Sequence, residues 1–594
     1  MMTDNLRKAN LRKKAVETAG LRAADNNEEV LPMFSNGKWL WEQHYPEGIS
    51  WKTPIFKKPL YHIIDQAALK YPNNVMIEFE GRSWSYADMG HMVDRVAEGL
   101  QKFGVSKGTK VGLFLPNSPY SFMFFFGVLK AGGTVVNYNP LYVERELAGQ
   151  IEDSETDIMV TLDSTPLLEK MDAMLKNTRL RKVIVCPFAE TLPFARKMAD
   201  RFLRKDAAKV KFDSRHISFI DIVDNHGQPI SVLVDAESDV AVLQYTGGTT
   251  GVPKAAMLTH ANLYANMMQV STWMKDLRHG QDSIIGVLPL FHVFAMTVVM
   301  NCSIYAGLKI LLHAKFDVKD VLEDIRKHRP SIFPAVPAVF NAIANAPETA
   351  KYDFSCLRFC ITGGAPMAAD VQRLFEEKTG SRALAEAYGL TEAAPACTFN
   401  PMHGLRKAGS VGQPLPGTIV EIISREDGTT VLPADTRGEV CISGPQVMKG
   451  YYKRPDATAD VIKNGRLHTG DVGYFDAQGY LHLVDRIKDL ILVRGYNVYP
   501  RVVEEAIYLH PSVEECIVAG VPDAERGETV WAWVKPAAGR TISPDGLREF
   551  LIDKLSPIEV PRRIVVRAEP LPKTAVGKLS KRDLLIQEGF AKKE

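Results

Sequence analysis

The chain has 594 residues, of which 46% are hydrophobic and 24% are charged. This length exceeds what one compact core usually holds, so we expect two or more domains of an ordinary globular protein. The formal net charge of +2 argues against a nucleic-acid partner, because no global excess of positive charge exists to attract phosphates. The seven cysteines are scattered without a CxxC pair, which indicates no zinc or redox motif and favours a reducing, cytoplasmic compartment.

The amino-terminal segment, residues 1–30, predicts a flexible basic arm. No apolar stretch follows its basic residues, which argues against a secretory signal. Acidic residues between positions 17 and 29 weaken the alternative of a transit peptide, which stays open. The basic residues are Arg7, Lys8, Arg12, Lys13 and Lys14.

Helical and strand patterns alternate from about residue 59 to residue 362. Apolar residues at helical spacing are followed by short apolar runs that end at glycine or proline. This alternation predicts parallel, doubly wound α/β sheets. The first predicted elements are a helix at 60–70, a strand at 75–80, a helix at 86–103, a strand at 110–114, a helix at 120–130 and a strand at 134–136.

Two later changes of pattern predict further units. Short β-rich runs between glycine and proline turns begin near Gly409, which predicts a small barrel-like subdomain over about 409–485 within a large domain of residues 31–487. Residues 488–594 predict a small, mobile α+β domain that follows a compact charged link at 485–489. Its predicted elements are a helix at 502–509, strands at 515–520 and 530–534, and a helix at 543–555.

The stretch from Ser283 to Leu308 carries no formal charge and is long enough to span a bilayer. Pro289, His292 and Asn301 interrupt it with groups that are poorly suited to hydrocarbon. We therefore predict a buried strand, a turn and a buried helix here rather than a transmembrane segment.

The richest candidate for anion binding is the loop Tyr245–Lys254, which follows an apolar strand at 240–243. Three glycines allow the backbone to approach an anion closely, and three threonines offer hydroxyl donors. Lys254 adds a positive charge at the end of the loop. The pattern is neither a Walker A sequence nor GxGxxG. A flexible surface turn is the alternative, and the density of hydroxyls after a buried strand disfavours it.

Six further motifs follow this loop along the chain. They are Leu288–His292, Thr362–Pro366, Ala387–Glu392, Gly438–Tyr452, His468–Asp471 and Lys573–Lys578. Together with the loop they resemble, over about Leu60 to Leu585, the signature motifs of the adenylate-forming superfamily, which includes acyl-CoA synthetases, luciferases and peptide-synthetase adenylation domains. One such match would be weak, but seven in the same order are specific.

The resemblance implies an enzyme in which a carboxylate attacks the α-phosphate of ATP. Charge then builds on phosphorus oxygens, so catalysis depends on positioning and electrostatic stabilisation. Glu392 and Thr246 would hold Mg²⁺, because that ion prefers hard oxygen ligands. Thr246 and Lys254 would bind the β- and γ-phosphates, and Lys578 would reach the carboxylate and the α-phosphate from the small domain. His292 would line the acyl or pantetheine channel as a gate.

The same resemblance implies a wider nucleotide site. Tyr388 offers an aromatic face to adenine, Asp471 accepts hydrogen bonds from the ribose hydroxyls, and Arg486 donates nearby. A core or solvated position would explain any of these residues alone, and their place inside matched motifs favours function. The implied ATP- and AMP-binding residues are Thr246, Gly247, Gly248, Thr249, Thr250, Gly251, Lys254, Gly364, Ala365, Pro366, Glu386, Ala387, Tyr388, Gly389, Leu390, Thr391, Asp471, Arg486 and Lys578.

The run of residues 494–500 resembles the loop with which CoA ligases wall the pantetheine tunnel. Lys488 matches the hinge about which we expect the small domain to rotate between two half-reactions. Two positions depart from the pattern: Arg494 stands where serine is common, and Met296 stands where some fatty-acid ligases carry a gating tryptophan. The residues implied for coenzyme A and the hinge are Lys488, Arg494, Gly495 and Tyr496.

Three segments, at 44–48, 291–295 and 495–500, look most like those of bacterial long-chain fatty-acid ligases. We therefore expect activation of a long-chain fatty acid as acyl-AMP with pyrophosphate release, followed by transfer to CoA. A ligase for an aryl or medium-chain acid stays open, as does a non-catalytic nucleotide-binding regulator. A peptide-synthetase module and a luciferase are disfavoured, because no carrier-protein sequence follows Lys578 and nothing demands oxygen chemistry.

The segment Pro187–His216 mixes phenylalanines with arginines and lysines. This pattern is as typical of contact with an anionic membrane surface as of a solvated basic insertion. The expected partners are the fatty acid and coenzyme A, and the resemblance also allows a homodimer. We therefore expect a cytoplasmic enzyme, with peripheral contact at the inner face of the membrane left open.

Overall fold

The computed structural model describes residues 33–35, 37–246, 253–494, 496–523, 526–574 and 578–591. The predicted basic arm therefore lies outside the described residues, and so do the side chains of residues 201–203. Gly247, Gly248, Thr249, Thr250, Gly251 and Gly495, which were all predicted as site residues, also lie outside them.

The described chain forms strands in five sheets. In chain order they are β1 Phe34–Ser35, β2 Lys38–Trp39, β3 Val75–Phe79, β4 Arg82–Ser85, β5 Lys110–Leu113, β6 Thr134–Asn137, β7 Ile158–Leu162, β8 Lys182–Cys186, β9 His216–Ser218, β10 Val240–Thr246, β11 Lys254–Thr259, β12 Ser283–Gly286, β13 Lys309–Leu312, β14 Ile332–Ala335, β15 Phe359–Thr362, β16 Leu384–Gly389, β17 Ala396–Phe399, β18 Gln413–Pro414, β19 Ile419–Ile423, β20 Gly438–Ser443, β21 Ile462–Lys463, β22 Arg466–Phe475, β23 Leu481–Arg486, β24 Ile491–Val493, β25 Tyr496–Val498, β26 Val513–Asp523, β27 Gly527–Pro536 and β28 Arg563–Val566.

Helices cover the remaining regular parts of the described chain. The α-helices span His62–Lys70, Tyr86–Lys102, Pro119–Lys130, Glu144–Ser154, Thr165–Asn177, Phe194–Leu203, Phe219–Val223, His260–Trp273, Val293–Ala295, Cys302–Ala306, Val318–His328, Pro337–Asn345, Ala369–Thr379, Pro455–Val461, Pro500–Tyr508, Pro544–Leu551 and Lys581–Gln587. Short 3₁₀ helices lie at Leu40–His44, Phe188–Thr191, Thr349–Lys351, Thr391–Ala393 and Ile487–Asp489, and a π-helix lies at Met296–Asn301.

Two large sheets make up the α/β body. One has seven strands in the order β11-β10-β6-β5-β7-β8-β9, and the other has nine in the order β18-β17-β16-β15-β14-β12-β13-β3-β4. Their central strands are parallel, and antiparallel pairs close their edges, such as β10 with β11 and β3 with β4. The predicted doubly wound α/β class is therefore confirmed.

The sequence of the central strands explains their position. Every residue of β7 and β15 is buried, as expected for parallel strands that are covered on both faces. The helix Pro119–Lys130 is buried from its first residue to Leu129, so it packs against neighbours all around. One apolar cluster includes Val135 of β6 and Ile310 of β13, and thereby joins the two sheets into a common core.

The uncharged stretch near residue 290 forms the strand, turn and buried helix that the sequence predicts. β12 is followed by the short helix Val293–Ala295, the π-helix Met296–Asn301 and the helix Cys302–Ala306. Every residue of that π-helix is buried. No helix in the described part of the chain combines the length and apolarity needed to cross a bilayer.

Two smaller sheets follow. β19, β20, β22, β21 and β23 form an antiparallel sheet, in keeping with the β-rich subdomain predicted there. Beyond the 3₁₀ helix Ile487–Asp489, β24 to β28 form a separate sheet with its own apolar cluster. β26 and β27 are longer than predicted, because their antiparallel ladder runs from Val513 opposite Pro536 to Asp523 opposite Gly527 and includes polar residues. The predicted domain bounds themselves remain predictions.

Candidate active site

The loop Tyr245–Lys254 and the motifs Thr362–Pro366 and Ala387–Glu392 lie where strands of the two large sheets end. Thr246 is the last residue of β10 in the seven-stranded sheet, and Thr362 and Gly389 are the last residues of β15 and β16 in the nine-stranded sheet. Ligands of open α/β sheets bind outside the carboxyl ends of the strands. The fold therefore puts these motifs at the edge where a nucleotide would bind.

Thr246 and Lys254 flank the predicted phosphate loop. They are register partners at the open end of the antiparallel pair β10–β11. The Thr246 hydroxyl donates to the Lys254 carbonyl over 3.4 Å, a long and weak hydrogen bond. A hydroxyl held this loosely can turn toward an incoming phosphate or metal ion.

Glu392 lies in the 3₁₀ helix Thr391–Ala393, directly after β16. Its Oε1 accepts a hydrogen bond of 2.6 Å from the hydroxyl of Tyr451, and the Lys254 Nζ lies 5.2 Å from the centroid of the Tyr451 ring. Burial, with the charge of Glu392 adding to it, raises the pKa of Tyr451, so the hydroxyl keeps its proton and donates.

Asp471 is held by two donors. Tyr388 donates its hydroxyl to Oδ2 over 2.6 Å, and Arg486 lies with Nε 2.9 Å from Oδ1. Asp471 and Arg486 are register partners on β22 and β23, so the ion pair follows from strand pairing. The charge of Asp471 raises the pKa of Arg486. A carboxylate has about four lone-pair sites, so Asp471 retains acceptor capacity for ribose hydroxyls.

Lys578 reaches this region from the small domain. Its Cε lies 3.5 Å from the point that a Cβ on Gly364 would occupy. Gly364 has a φ of +80°, so a side chain there would be strained and would also touch the lysine. Burial, and next the charge of Arg486, lower the pKa of Lys578, while Asp471 opposes them.

His292 is close enough to Lys578 to feel its charge. Its Nδ1 accepts a hydrogen bond of 3.3 Å from the Phe294 amide. Burial, with the Lys578 charge as the second cause, lowers the pKa of His292 to about 4. The imidazole is therefore neutral near pH 7, which suits a wall of a channel and not a general acid.

The predicted adenine-side loop packs against the end of β16. A Cβ on Gly363 would lie 3.0 Å from the Ala387 carbonyl oxygen and 3.9 Å from the ring of Phe294. The loop, the strand end and the segment after His292 therefore meet at one place. Ala365, Pro366, Leu390 and Thr391 continue the same two segments.

Glu386, another residue predicted for the nucleotide, is buried near the end of β16. Its carboxylate accepts a hydrogen bond of 3.1 Å from the Met367 amide. Burial raises the pKa of Glu386 to about 7, and the charge of Arg501, which belongs to the small domain, opposes that rise. The side chain therefore lies where the two domains approach each other.

The residues predicted for the hinge and for coenzyme A lie around the first strands of the small domain. Lys488 is in the 3₁₀ helix Ile487–Asp489, and burial followed by the charge of Arg486 lowers its pKa. Arg494 has a φ of +52° in the turn between β24 and β25, and Tyr496 begins β25 with 64% of its surface exposed. The effect of the Arg486 charge places Lys488 near the nucleotide region.

Sequence reasoning missed two residues of this region. Tyr451 lies within a matched motif, yet no role followed from its type. Asp485 accepts a hydrogen bond of 2.7 Å from the Arg501 amide, which joins β23 to the helix Pro500–Tyr508 of the small domain. The signal for Asp485 was the charged link at 485–489, but its partner lies beyond a turn and a strand pair.

Comparisons with known proteins identify the family of this chain. The model of the AMP-binding enzyme family matches residues 64–452, and that of the AMP-binding enzyme C-terminal domain matches residues 502–578. A long-chain-fatty-acid–CoA ligase of Bacillus subtilis is 39% identical over 94% of this chain and 99% of its own length. A probable 4-coumarate–CoA ligase 3 of Dictyostelium discoideum is 32% identical over 92% of this chain and 98% of its own.

Solved structures share the fold. ATP-bound MatB from Rhodopseudomonas palustris superposes with a TM-score of 0.78 at 28% identity, over 89% of this chain and all of its own. The amide bond synthetase McbA from Marinactinospora thermotolerans gives a TM-score of 0.76 at 27% identity over 90% of this chain and all of its own. The resemblance found in the motifs is confirmed, and this chain belongs to the family of AMP-binding, adenylate-forming enzymes.

Proposed function

We propose that the protein is an AMP-forming long-chain fatty acid–CoA ligase. The observation that carries the proposal is the convergence of Lys578, from the small domain, with Asp471, Arg486 and Gly364 of the large domain. The ammonium group of Lys578 thus lies beside the proposed nucleotide site of the large domain. This arrangement suits a reaction in which negative charge builds on the phosphate oxygens.

In the first half-reaction, a carboxylate oxygen of the fatty acid attacks the α-phosphorus of ATP. The bond from that phosphorus to the bridging oxygen breaks, and pyrophosphate leaves. Lys578 lies where it can orient the two anions and neutralise the charge that builds between them. Tyr388, Asp471 and Arg486 hold the nucleoside, and Thr246 and Lys254 hold the outer phosphates.

Mg²⁺ fits the residues at this edge of the sheets. Tyr451 bonds to Oε1 of Glu392, so the second carboxylate oxygen can coordinate a hard cation, and the Thr246 hydroxyl is only weakly held. When bound, Mg²⁺ would supply charge neutralisation on the triphosphate. Glu392 and Thr246 are the residues proposed to hold it.

In the second half-reaction, the sulfur of coenzyme A attacks the acyl carbonyl carbon. The bond from that carbon to the phosphate oxygen breaks, AMP leaves, and the thiol proton is released. We propose that Arg494, Gly495 and Tyr496 contact coenzyme A after the small domain turns about Lys488. The neutral His292 would line the passage between the thiol and the acyl group.

A long-chain acid is supported by the B. subtilis relative and by the buried, mostly apolar segment Met296–Asn301 beside His292. The second candidate keeps the chemistry and changes the acid, and the Dictyostelium relative favours it. A non-catalytic nucleotide-binding regulator is the third. It would bind ATP and release no pyrophosphate.

The test is pyrophosphate release from purified protein with ATP, Mg²⁺ and acids from acetate to oleate plus coumarate, with and without CoA. Turnover that peaks with palmitate or oleate and yields acyl-CoA supports the proposal. A peak with coumarate or a short acid moves the proposal to the second candidate. If no acid gives pyrophosphate release and the protein still binds ATP, the result favours the regulator.

We also propose peripheral membrane contact through the helix Phe194–Leu203. Phe194 is 79% exposed and Met198 is 42% exposed, and four-residue spacing puts them on one helix face. Arg196 and Lys197 already pair with Glu80 and Glu190, so the basic character of this helix is partly neutralised.

Co-sedimentation with anionic vesicles tests this contact in a cytoplasmic enzyme. Replacing Phe194 and Met198 with serine should reduce the fraction of protein that sediments with the vesicles. In a separate variant, replacing Lys205 and Lys209 with glutamine should also reduce it. Unchanged sedimentation of both variants would contradict the contact.

A homodimer, proposed from the resemblance, is tested separately by sedimentation equilibrium, where a monomer mass would reject it.

A further inference from the structure

One tyrosine contacts both charged residues that flank the proposed triphosphate position. The Tyr451 hydroxyl donates to Glu392 Oε1 over 2.6 Å, and its ring lies 5.2 Å from the Lys254 Nζ. We propose that Tyr451 is a positioning residue that holds the metal-binding carboxylate and the phosphate-binding ammonium in fixed relation. This inference rests on the proposed function of the same site.

The backbone of Tyr451 is itself fixed to the strand that begins at Lys254. The Tyr451 backbone forms an isolated bridge with Ala256, and on either side of it the Met257 amide donates to Gly450 over 2.8 Å and the Tyr452 amide donates to Ala255 over 2.9 Å. The backbone of Tyr451 is therefore held at a fixed position beside β11, the strand that begins at Lys254.

The same segment also holds the backbone of Glu392. The Met448 amide donates to the Glu392 carbonyl over 2.8 Å, and the Lys449 amide donates to the Met257 carbonyl over 3.0 Å. The Tyr451 amide is fixed in turn by the Thr458 hydroxyl at 2.9 Å. The segment from Met448 to Tyr451 is thus a rigid tie between β11 and the end of β16.

Each contact of the tyrosine has a separate consequence. A hydrogen bond from a neutral donor to a carboxylate is stronger than one between neutral groups, and here it selects one rotamer of Glu392. The face of an aromatic ring attracts a nearby ammonium, which holds Lys254 near the loop when no phosphate is present. The hydroxyl therefore acts on metal binding, and the ring acts on binding of the metal-free nucleotide.

The neighbouring residue provides a matched control. The Tyr452 hydroxyl donates to Glu155 Oε2 over 2.6 Å, and the Lys453 Nζ lies 5.1 Å from the centroid of its ring. Glu155 also pairs with Lys453 at 2.8 Å. Tyr452 thus makes the same two kinds of contact, one with a glutamate and one with a lysine, and neither residue has a part in the proposed nucleotide site.

The experiment measures binding of α,β-methylene ATP by calorimetry, with and without Mg²⁺, to wild-type protein, Tyr451→Phe, Tyr451→Leu and Tyr452→Phe. The dissociation constant without Mg²⁺ divided by the constant with Mg²⁺ reports the coupling between metal and nucleotide. Tyr451→Phe should lower that ratio about tenfold, as expected for loss of a hydrogen bond to a charged group. Tyr451→Leu should in addition weaken metal-free binding a few-fold, and Tyr452→Phe should match wild type.

A double-mutant cycle with Glu392→Gln completes the test. In that background Tyr451→Phe should have no further effect on the ratio, because the carboxylate it positions is gone. A ratio in Tyr451→Phe equal to that of wild type, or an equal drop in Tyr452→Phe, overturns the proposal. Should wild type form no acyl-CoA while Tyr451→Phe still lowers the ratio, the proposed function fails and the positioning role stands.

Discussion

The hydroxyl of Tyr388 donates to Asp471 over 2.6 Å, although the two residues belong to different sheets. Tyr388 lies near the end of β16 in the nine-stranded sheet, and Asp471 lies in β22 of the antiparallel sheet. The bond ties the β-rich subdomain to the strand ends where the nucleotide-type motifs meet. Burial, followed by the charge of Asp471, raises the pKa of Tyr388, so the phenol stays a donor.

We expect Tyr388→Phe to raise the KM for ATP about tenfold, because it removes a hydrogen bond to a carboxylate and keeps the ring. Steady-state pyrophosphate release at varied ATP measures the change. Tyr480→Phe is the control, since its hydroxyl donates to the Leu405 carbonyl over 2.8 Å in the same part of the molecule. Equal effects of the two substitutions would show that the Tyr388 bond serves stability alone.

Removing the charge of Lys578 should have two effects. Lys578→Ala should reduce pyrophosphate release by about a hundredfold or more, as removal of one preorganised electrostatic contact does in other enzymes. It should also raise the pKa of His292 above about 4, because that charge is one of the two causes that lower it. Burial is the larger cause, so the pKa should stay below 6.5.

Histidine ¹³C NMR across a pH series measures the second effect, with His292→Asn to assign the signal. Lys573→Ala is the control, since Lys573 pairs with Glu515 of the small domain at 2.5 Å. A His292 titration that does not move in Lys578→Ala would show that the lysine charge does not act on the imidazole.

Glu386→Gln should stabilise the protein at pH 8 relative to its effect at pH 5. Burial raises the folded-state pKa of Glu386 from 4.5 to about 7. The buried acid therefore contributes stability that is fully present below pH 4.5 and is lost as pH rises through about 7. A shift of this size corresponds to about 3 kcal/mol at most, and glutamine removes it.

Thermal unfolding of both proteins from pH 4.5 to 8.5 measures this. The difference in midpoint between Glu386→Gln and wild type should grow between pH 5 and pH 7 and then level off. Glu377→Gln, at an exposed position of the helix Ala369–Thr379, should show no such trend. A difference that is constant with pH would mean that Glu386 is ionised in the folded protein throughout.

We expect Asp485→Ala to slow the first half-reaction and to destabilise the fold only modestly. Asp485 accepts the Arg501 amide at the start of the helix Pro500–Tyr508, and loss of such a cap costs about 1 kcal/mol. Because the cap joins β23 to the small domain, its loss should loosen the placement of Lys578 and slow pyrophosphate release several-fold.

Ser543→Ala is the matched control for this cap. Ser543 caps the helix Pro544–Leu551 by accepting the Gly546 amide over 3.3 Å, wholly within the small domain. It should lower the unfolding midpoint similarly and leave the rate of pyrophosphate release unchanged. Equal losses of rate in both variants would show that helix capping, and not the link between domains, controls the rate.

The α/β class was predictable because buried parallel strands are continuous apolar runs with helical patterns between them. The strand β7, with all five residues buried, is such a run. The full length of β26 and β27 was not predictable in the same way. Beyond the predicted strands their ladder carries polar residues such as Glu528 and Lys535, which hydropathy alone assigns to loops.

Residue type and order determined which motifs can bind a nucleotide. Glycines and hydroxyls suit an anion, a carboxylate suits a hard cation, and these preferences act within a few residues of chain. The composition of the loop by itself named Thr246 and Lys254 as candidates. Glu392, Asp471 and Lys578 became candidates through the resemblance of their motifs to the adenylate-forming superfamily.

Only the tertiary structure decided which of these side chains meet. Tyr388 and Asp471 are 83 positions apart, and Tyr451 and Glu392 are 59 positions apart. Contacts over such separations depend on how sheets pack and which strands pair, and no local pattern records them. The contacts of Tyr451 and Asp485, and the effect of the Lys578 charge on His292, follow from that packing because a hydrogen bond or a charge acts through space and not along the chain.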